Sequence, residues 1–368
     1  MDRDHLHVVM LPWSAFGHFI PFFQLSIALA RSGINVSFVS TPRNIQRLPK
    51  IPPSLATFIK FVEFPLPTLD NNDILPEGAE ATVDVPADKV EYLKLAYDRL
   101  QYPINQFVAE QLPDWIIADF SSHWAVEIAQ NYNVGFIYFS VFSAATVVFF
   151  GKPPNYFFVG DQKQAWPSPE SLTSPPEWLS FPSSVAFRGY EAVWLHAGIY
   201  TENASGISDA ARVTKVVRAC KALAIRSCRE FEGEFLSLQE KLMGKPKEIL
   251  AHPSIGGSLF HSGWGSAIEM LQFGHCLVVL PFIFDQPLNA RLLVDKGVAV
   301  EVERGEDGSF SRDGIAKAVK LAMVLEKGDK LRTRAREAAA IFGDENLHQV
   351  NYIGHFVEYL KHGGSNKI

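Results

Sequence analysis

The chain alternates short apolar runs with stretches of helical period, and this alternation constrains the fold more than any other feature of its 368 residues. Runs at 6–11, 36–40, 58–64, 115–119, 136–140 and 223–226 read as buried strands, with 3.6-residue periodicity between them at 21–31, 89–110, 123–130 and 231–242. Strands apolar on both faces and separated by helices predict a parallel sheet covered on both sides. After Lys247 the pattern resumes with strands at 254–261, 276–282 and 298–303 and helices at 264–273 and 288–296. Helices at 312–325, 330–341 and 352–361 follow. A self-standing Rossmann half ordinarily needs about five or six strands, so the second half is expected to lack its opening units. The expectation is an α/β chain of two Rossmann-like units, 1–245 and an incomplete 247–350, closed by a tail helix within 351–368. Residues 152–186, dense in Pro, Ser and aromatics without periodicity, are expected to run over the surface beside a binding cleft and to carry acceptor contacts.

Hydrophobic residues make up 47% of the chain, 28 of them Phe, which is ample for a core of this size. A net charge of −6, with no dense Lys/Arg cluster, argues against a nucleic-acid partner. Cys220, Cys228 and Cys276 are too few and too scattered for a disulfide framework or a CxxC metal knuckle, so a reducing compartment is expected. The opening Met1-Asp2-Arg3-Asp4-His5 lacks the basic start of a secretory signal, which points to the cytoplasm. Two apolar stretches, 11–30 and 134–151, approach the length of a membrane span. The first is interrupted by Pro12, Gly17, His18 and Pro21, and the second reads as a strand running into a helix, so no integral membrane segment is expected.

Two constellations carry chemistry. In the first, the strand ending at Leu11 passes through Pro12-Trp-Ser-Ala-Phe-Gly17-His18 into a helix with Pro21 in its first turn, which puts His18 at a carboxyl end of the sheet. Asp119 closes the strand 115–119 at the same rim. A carboxylate bonded to an imidazole fixes its tautomer and supports the imidazolium, so the pair suits deprotonation of an alcohol. On the residues alone, Asp119 serves equally well as a helix N-cap. In the second, Phe260-His261-Ser262-Gly263-Trp264-Gly265-Ser266 is a small-residue turn from strand to helix, where free N–H groups and the helix dipole suit phosphate oxygens. Glu269 stands one turn further on, placed to accept from ribose hydroxyls, and Asp285 and Gln286 follow the next strand, placed for sugar hydroxyls or for capping. A nicotinamide-dependent oxidoreductase is disfavoured because Pro12-Trp-Ser-Ala-Phe-Gly17 stands where a G-x-G-x-x-G turn would be.

The run from Lys247-Glu-Ile-Leu-Ala-His252-Pro253 through His261-Ser-Gly-Trp-Gly-Ser266 to Asp285-Gln286 resembles the signature box of plant family-1 UDP-glycosyltransferases, and Gly17-His18-x-x-Pro21 with Asp119 resembles that family's catalytic pair. The resemblance implies the GT-B fold of two facing Rossmann-like domains and an inverting transfer that needs neither metal nor cofactor, with a UDP-sugar as co-substrate. It implies His18 as base and Asp119 as its partner. By the same carry-over, His261 and Ser266 would hold phosphates, Trp264 and Gly265 would frame phosphate and sugar, Glu269 would hold the ribose, and Asp285 and Gln286 the sugar, with Ser262 and Gly263 in the same UDP-sugar-binding turn. Gly265, where the family more often has Asn, resembles the group that extends existing glycosides and includes UDP-rhamnose:rhamnosyltransferases. The implied partners are UDP-rhamnose or UDP-glucose and a terpenoid, saponin or flavonoid glycoside. One departure stands out. The family's box opens with Trp-x-Pro-Gln, whose Trp stacks on uracil and whose Gln helps bind ribose, whereas Met243-Gly-Lys-Pro246 directly precedes Lys247 here. Loss of such a stacking platform costs on the order of 1–3 kcal/mol, so a truncated, weakly active or inactive chain is expected.

Overall fold

The computed structural model describes residues 6–69, 74–151, 166–243, 247–249 and 259–363. Ten strands are present among them: β1 (His7–Leu11), β2 (Asn35–Ser40), β3 (Ile59–Glu63), β4 (Trp115–Ala118), β5 (Gly135–Ser140), β6 (Ala222–Ile225), β7 (Lys247–Ile249), β8 (Leu259–Phe260), β9 (Leu277–Val279) and β10 (Ala299–Glu301). The helices of the first half are α1 (Phe16–Arg31), α2 (Pro42–Gln46), α3 (Val90–Asp98), α4 (Gln101–Gln111), α5 (Ala125–Asn131), α6 (Ala144–Phe150), α7 (Gly189–Tyr200), α8 (Asp209–Ala219) and α9 (Arg229–Met243). Those of the second are α10 (Trp264–Leu271), α11 (Gln286–Asp295), α12 (Arg312–Met323), α13 (Asp329–Phe342) and, after a π-helical stretch Asn346–Ile353, the tail α14 (Gly354–Lys361).

The first sheet is parallel throughout, in the order β3-β2-β1-β4-β5-β6-β7. Its central strands are apolar on both faces because both are covered. Val9 and Leu11 point into a core shared with α3, α5 and α6, while Val8 and Met10 point into a second core built on Phe19, Phe22 and Leu29 of α1. Each such buried side chain contributes roughly 1.5–3 kcal/mol relative to exposure. The second sheet, β10-β9-β8, is also parallel and has three strands among the described residues.

Three local readings change. α1 begins at Phe16, five residues before the periodicity suggested, so Pro21 lies inside the helix and His18 in its first turn rather than in a loop. The interior proline removes one backbone hydrogen bond, and the buried Phe face carries the helix across that loss. The single helix expected at 89–110 is two, because Pro103 has no N–H to donate to the carbonyl of Arg99 and the chain restarts at Gln101. Residues 247–249, expected to open the second half, pair instead with β6 as the edge strand of the first sheet. Of the strand expected at 254–261, the described part is Leu259–Phe260; residues 254–258 lie outside the described residues. So do 152–165 of the expected surface excursion, the remainder of which includes a short 3-10 turn at Pro169–Thr173. The tail helix returns to the first half. Phe356, Val357 and Leu360 join the α1 core, and the indole N–H of Trp115 donates to the carbonyl of Leu360 at 3.1 Å. Among the described residues no helix is long and apolar enough to cross a membrane.

Candidate active site

β1 and β4 are neighbours, with Leu11 paired to Ala118, and the sheet order reverses between them. Chain segments leaving the carboxyl ends of strands at such a reversal diverge to opposite faces and open a crevice. His18 enters this crevice from α1 and Asp119 from the end of β4. Nδ1 of His18 lies 2.5 Å from Oδ2 of Asp119, which is 1% exposed. The same carboxylate accepts from the backbone N–H of Trp13 at 3.2 Å and of Phe120 at 2.6 Å. A carboxylate already fixed as an acceptor places the imidazole proton on Nδ1 and leaves Nε2 as a free base. The N-cap alternative for Asp119 is not realised, because α5 starts only at Ala125 and the carboxylate is spent on these contacts.

Phe120 and Phe142 stand 6.0 and 5.8 Å from the imidazole between ring centres, and both line an apolar cavity that continues past Tyr138, Val147 and Ile199. Of the excursion expected to carry acceptor contacts, the described residues 166–186 do not line this cavity. Phe284 and Asp285 of the second half close the other side. Loss of water around Asp285 pushes its carboxyl up to about 6, opposed by a hydrogen bond from Asn289 and by the charge of His18. Asp285 makes no cap bond to α11; instead its Oδ2 accepts from Nδ2 of Asn289 at 2.6 Å. Gln286 folds back on its own turn, its Oε1 accepting from the N–H groups of Phe282 and Ile283 at 3.0 and 3.1 Å, which closes the turn that presents Asp285.

The turn from β8 to α10 is built as a small-residue cradle. Ser262 is fully buried with φ +67°, and a Cβ on Gly263 would stand 2.6 Å from Nε2 of His261, so the glycine lets the imidazole lie over the turn. Trp264 is a core residue. Its indole packs beside Phe231 and donates to the carbonyl of Arg226 at 2.7 Å, so what it offers a ligand is its backbone N–H. Gly265 and Ser266 occupy the first turn of α10, whose free N–H groups face outward with the positive end of the helix dipole. Glu269, partly buried, has its carboxyl pushed up by burial and pulled back by Arg226 and a hydrogen bond from Gln24.

Asn289, fully buried, was not singled out by the sequence. Its amide nitrogen donates to the carbonyl of Ser262 at 3.0 Å and to Asp285, while its oxygen accepts from Ser143 of the first half at 2.7 Å. One side chain thus ties together the cradle, Asp285 and the first half. A polar residue one turn into a helix carries no signal of this until its neighbours are known.

Two parallel sheets facing one crevice, with a His–Asp pair on one side and a helix-opening cradle on the other, define a glycosyltransferase of the GT-B class. The chain matches the family described as UDP-glucoronosyl and UDP-glucosyl transferase over residues 245–367. It is similar to UDP-glycosyltransferase 91C1 of Arabidopsis thaliana, at 32% identity covering 99% of this chain and 98% of that protein. It is also similar to soyasaponin III rhamnosyltransferase of Glycine max, at 31% identity covering 97% of this chain and 95% of that protein. Among solved structures, UGT73P12 of Glycyrrhiza uralensis superposes with a TM-score of 0.73 at 15% identity, covering 98% of this chain and 96% of that one. The chain belongs to the plant family-1 UDP-glycosyltransferases, in the group of UDP-glycosyltransferase 91 relatives. Its alignment with the Arabidopsis relative runs over 463 positions although the chain has 368 residues, so that relative carries internal segments this chain lacks.

Proposed function

We propose that this chain transfers a hexose from a UDP-sugar to a hydroxyl of an apolar plant secondary metabolite or its glycoside, with inversion at the anomeric carbon. The observation that carries the reading is the His18–Asp119 pair at the mouth of an apolar cavity closed from the other half by Asp285. Nε2 of His18 takes the acceptor hydroxyl proton, the oxygen attacks the anomeric carbon, and the bond to UDP breaks with its electron pair leaving on the diphosphate. Asp119 stabilises the imidazolium. General-base catalysis of this kind contributes about 10²–10⁴-fold, the rest coming from positioning and from stabilising the leaving diphosphate.

On this reading the first half holds the acceptor and the second the donor. His261, Ser262, Ser266 and the N–H groups from Gly263 to Gly265 hold the diphosphate, Glu269 the ribose, and Asp285 the sugar, with Gln286 shaping the turn. UDP-rhamnose and UDP-glucose are the donors to try first, given relatives named soyasaponin III rhamnosyltransferase and anthocyanidin-3-O-glucoside rhamnosyltransferase, the latter from Petunia hybrida. The test is transfer from each donor to triterpenoid and flavonoid glycosides by the purified chain and by His18→Ala. Loss of transfer with UDP binding spared supports the base assignment, and equal rates sink it. A second reading, a chain that binds UDP without turnover, is favoured by the internal segments present in the relative and by a second sheet of three strands among the described residues. UDP binding without transfer to any acceptor would select it.

A further inference from the structure

Arg226 is the first residue beyond β6. Its backbone N–H donates to the carbonyl of Ser140 at 3.3 Å and its own carbonyl accepts from the indole of Trp264 at 2.7 Å, which places its side chain beneath the turn that opens α10. The residue is 2% exposed. Nη2 donates to Oε1 of Gln24 at 3.0 Å and lies 3.9 Å from Oε1 of Glu269, too far for a hydrogen bond. Nη1 is buried and has no hydrogen-bond partner among the described residues. A Cβ on Gly265 would stand 2.9 Å from that Nη1, so the unpaired donor presses against the second residue of α10. In the same turn, the buried hydroxyl of Ser262 is also without a hydrogen-bond partner among the described residues.

A buried guanidinium with no carboxylate in hydrogen-bonding reach is costly, and every unpaired buried donor calls for a reason. Here the cost is raised further, because the charge sits at the positive end of a helix dipole. Burial lowers the guanidinium only to about 10, so it remains charged at neutral pH. Two sources of positive potential and two unpaired hydrogen-bonding groups converge on one turn, and an anion seated there satisfies them together.

We infer that Arg226, supplied by the acceptor half, is the cationic floor of the donor's diphosphate site. This rests on the reading of the α10 turn as the place of the diphosphate. Gly265 then has a defined role, since any side chain there must displace the guanidinium. Because Arg226 is anchored on the first sheet, the charge that holds the leaving diphosphate is set by the half that carries the base.

The test uses the full chain, with UDP and uridine titrated by calorimetry and, at millimolar ligand, by ligand-observed NMR. In Arg226→Gln, UDP affinity should fall roughly 10- to 100-fold with uridine binding unchanged, as expected for loss of a charge in a partly dry site. Arg226→Lys should restore most of the UDP affinity. Gly265→Ala, which moves the guanidinium while keeping it, should weaken UDP several-fold and leave uridine alone. Wild-type UDP affinity in Arg226→Gln, or equal losses for UDP and uridine, overturns the assignment in favour of a packing role. Should Arg226→Gln fail to fold by thermal melting, unchanged UDP binding in Gly265→Ala overturns it instead. A wild-type chain that binds neither ligand overturns the donor-site reading itself, an outcome distinct from the others.

Discussion

At the scale of single residues the site depends on where protons sit. With Nδ1 of His18 committed to Asp119, Nε2 is the only basic position the imidazole can present to an acceptor. Asp119→Asn removes the charge that supports the imidazolium and can favour the wrong tautomer, so kcat should fall about 10²–10⁴-fold while UDP affinity stays within a few-fold. An unchanged kcat would show that Asp119 only holds the loop. Asp285 makes a pH prediction whose sign follows from burial. Its carboxyl titrates at about 6 in the fold against 3.8 when free, so its contribution to stability is fully present below 3.8 and is lost as pH rises through about 6. On the reading that Asp285 holds the sugar, binding runs the other way, because the ionised form is the stronger acceptor for sugar hydroxyls. The KM for the UDP-sugar should therefore rise as pH falls from 7 to 5. Asp285→Asn should have a high KM with this step absent, and the same pH step in that variant would assign it to another group. His18, Asp119 and the cradle were legible in the sequence because each lies in a segment that leaves the carboxyl end of a strand, where the βα pattern itself marks the rim. Arg226 and Asn289 were not, because their roles come from contacts across the two halves: Arg226 Nη1 with Gly265, and Asn289 with both Ser143 and Ser262.

At the scale of elements, periodicity found most strands and helices but not what they pack against. The amphipathic tail is the clearest case. Its apolar face was evident, yet only the structure shows that Phe356 and Leu360 close the α1 side of the first sheet and that Tyr359 lies 5.8 Å from the ring of Trp115. Phe356 is fully buried, so Phe356→Ala should cost about 3–5 kcal/mol and lower the melting temperature of the first half. A loss below about 1 kcal/mol would mean that the tail is peripheral to that core. β7 was misread for a related reason. The edge of the first sheet at β6 has unpaired backbone groups, and a three-residue extended segment that satisfies them is drawn there whatever its neighbours resemble. The split of the expected helix at 89–110 was legible in principle from Pro103, whose missing N–H outweighs the apolar repeat around it.

At the scale of the molecule the two halves do not behave as separate bodies. One continuous core runs from Val9 and Leu11 through α6 and α9 to Trp264, Leu277 and Leu293. A buried charge cluster crosses the same boundary. Arg291 of α11 pairs with Glu191 of α7 at 2.8 Å and with Glu301 of β10 at 3.3 Å, while Arg188 pairs with Glu301 at 2.9 Å. Burying such pairs is not in itself strongly stabilising, but removing Arg291 leaves the buried carboxylate of Glu191 without its cation, while Glu301 keeps Arg188. Arg291→Ala should cost about 3–5 kcal/mol, more than the double change of Arg291→Leu with Glu191→Leu, which removes a charge from each side. A shared core also predicts one cooperative unfolding transition, with calorimetric and van't Hoff enthalpies in agreement, although this chain has three strands in its second sheet among the described residues. Two resolved transitions would show that the halves fold independently. A single transition that UDP moves upward would instead mean that donor binding is felt in the acceptor half, since a ligand that binds only the folded state stabilises the whole cooperative unit.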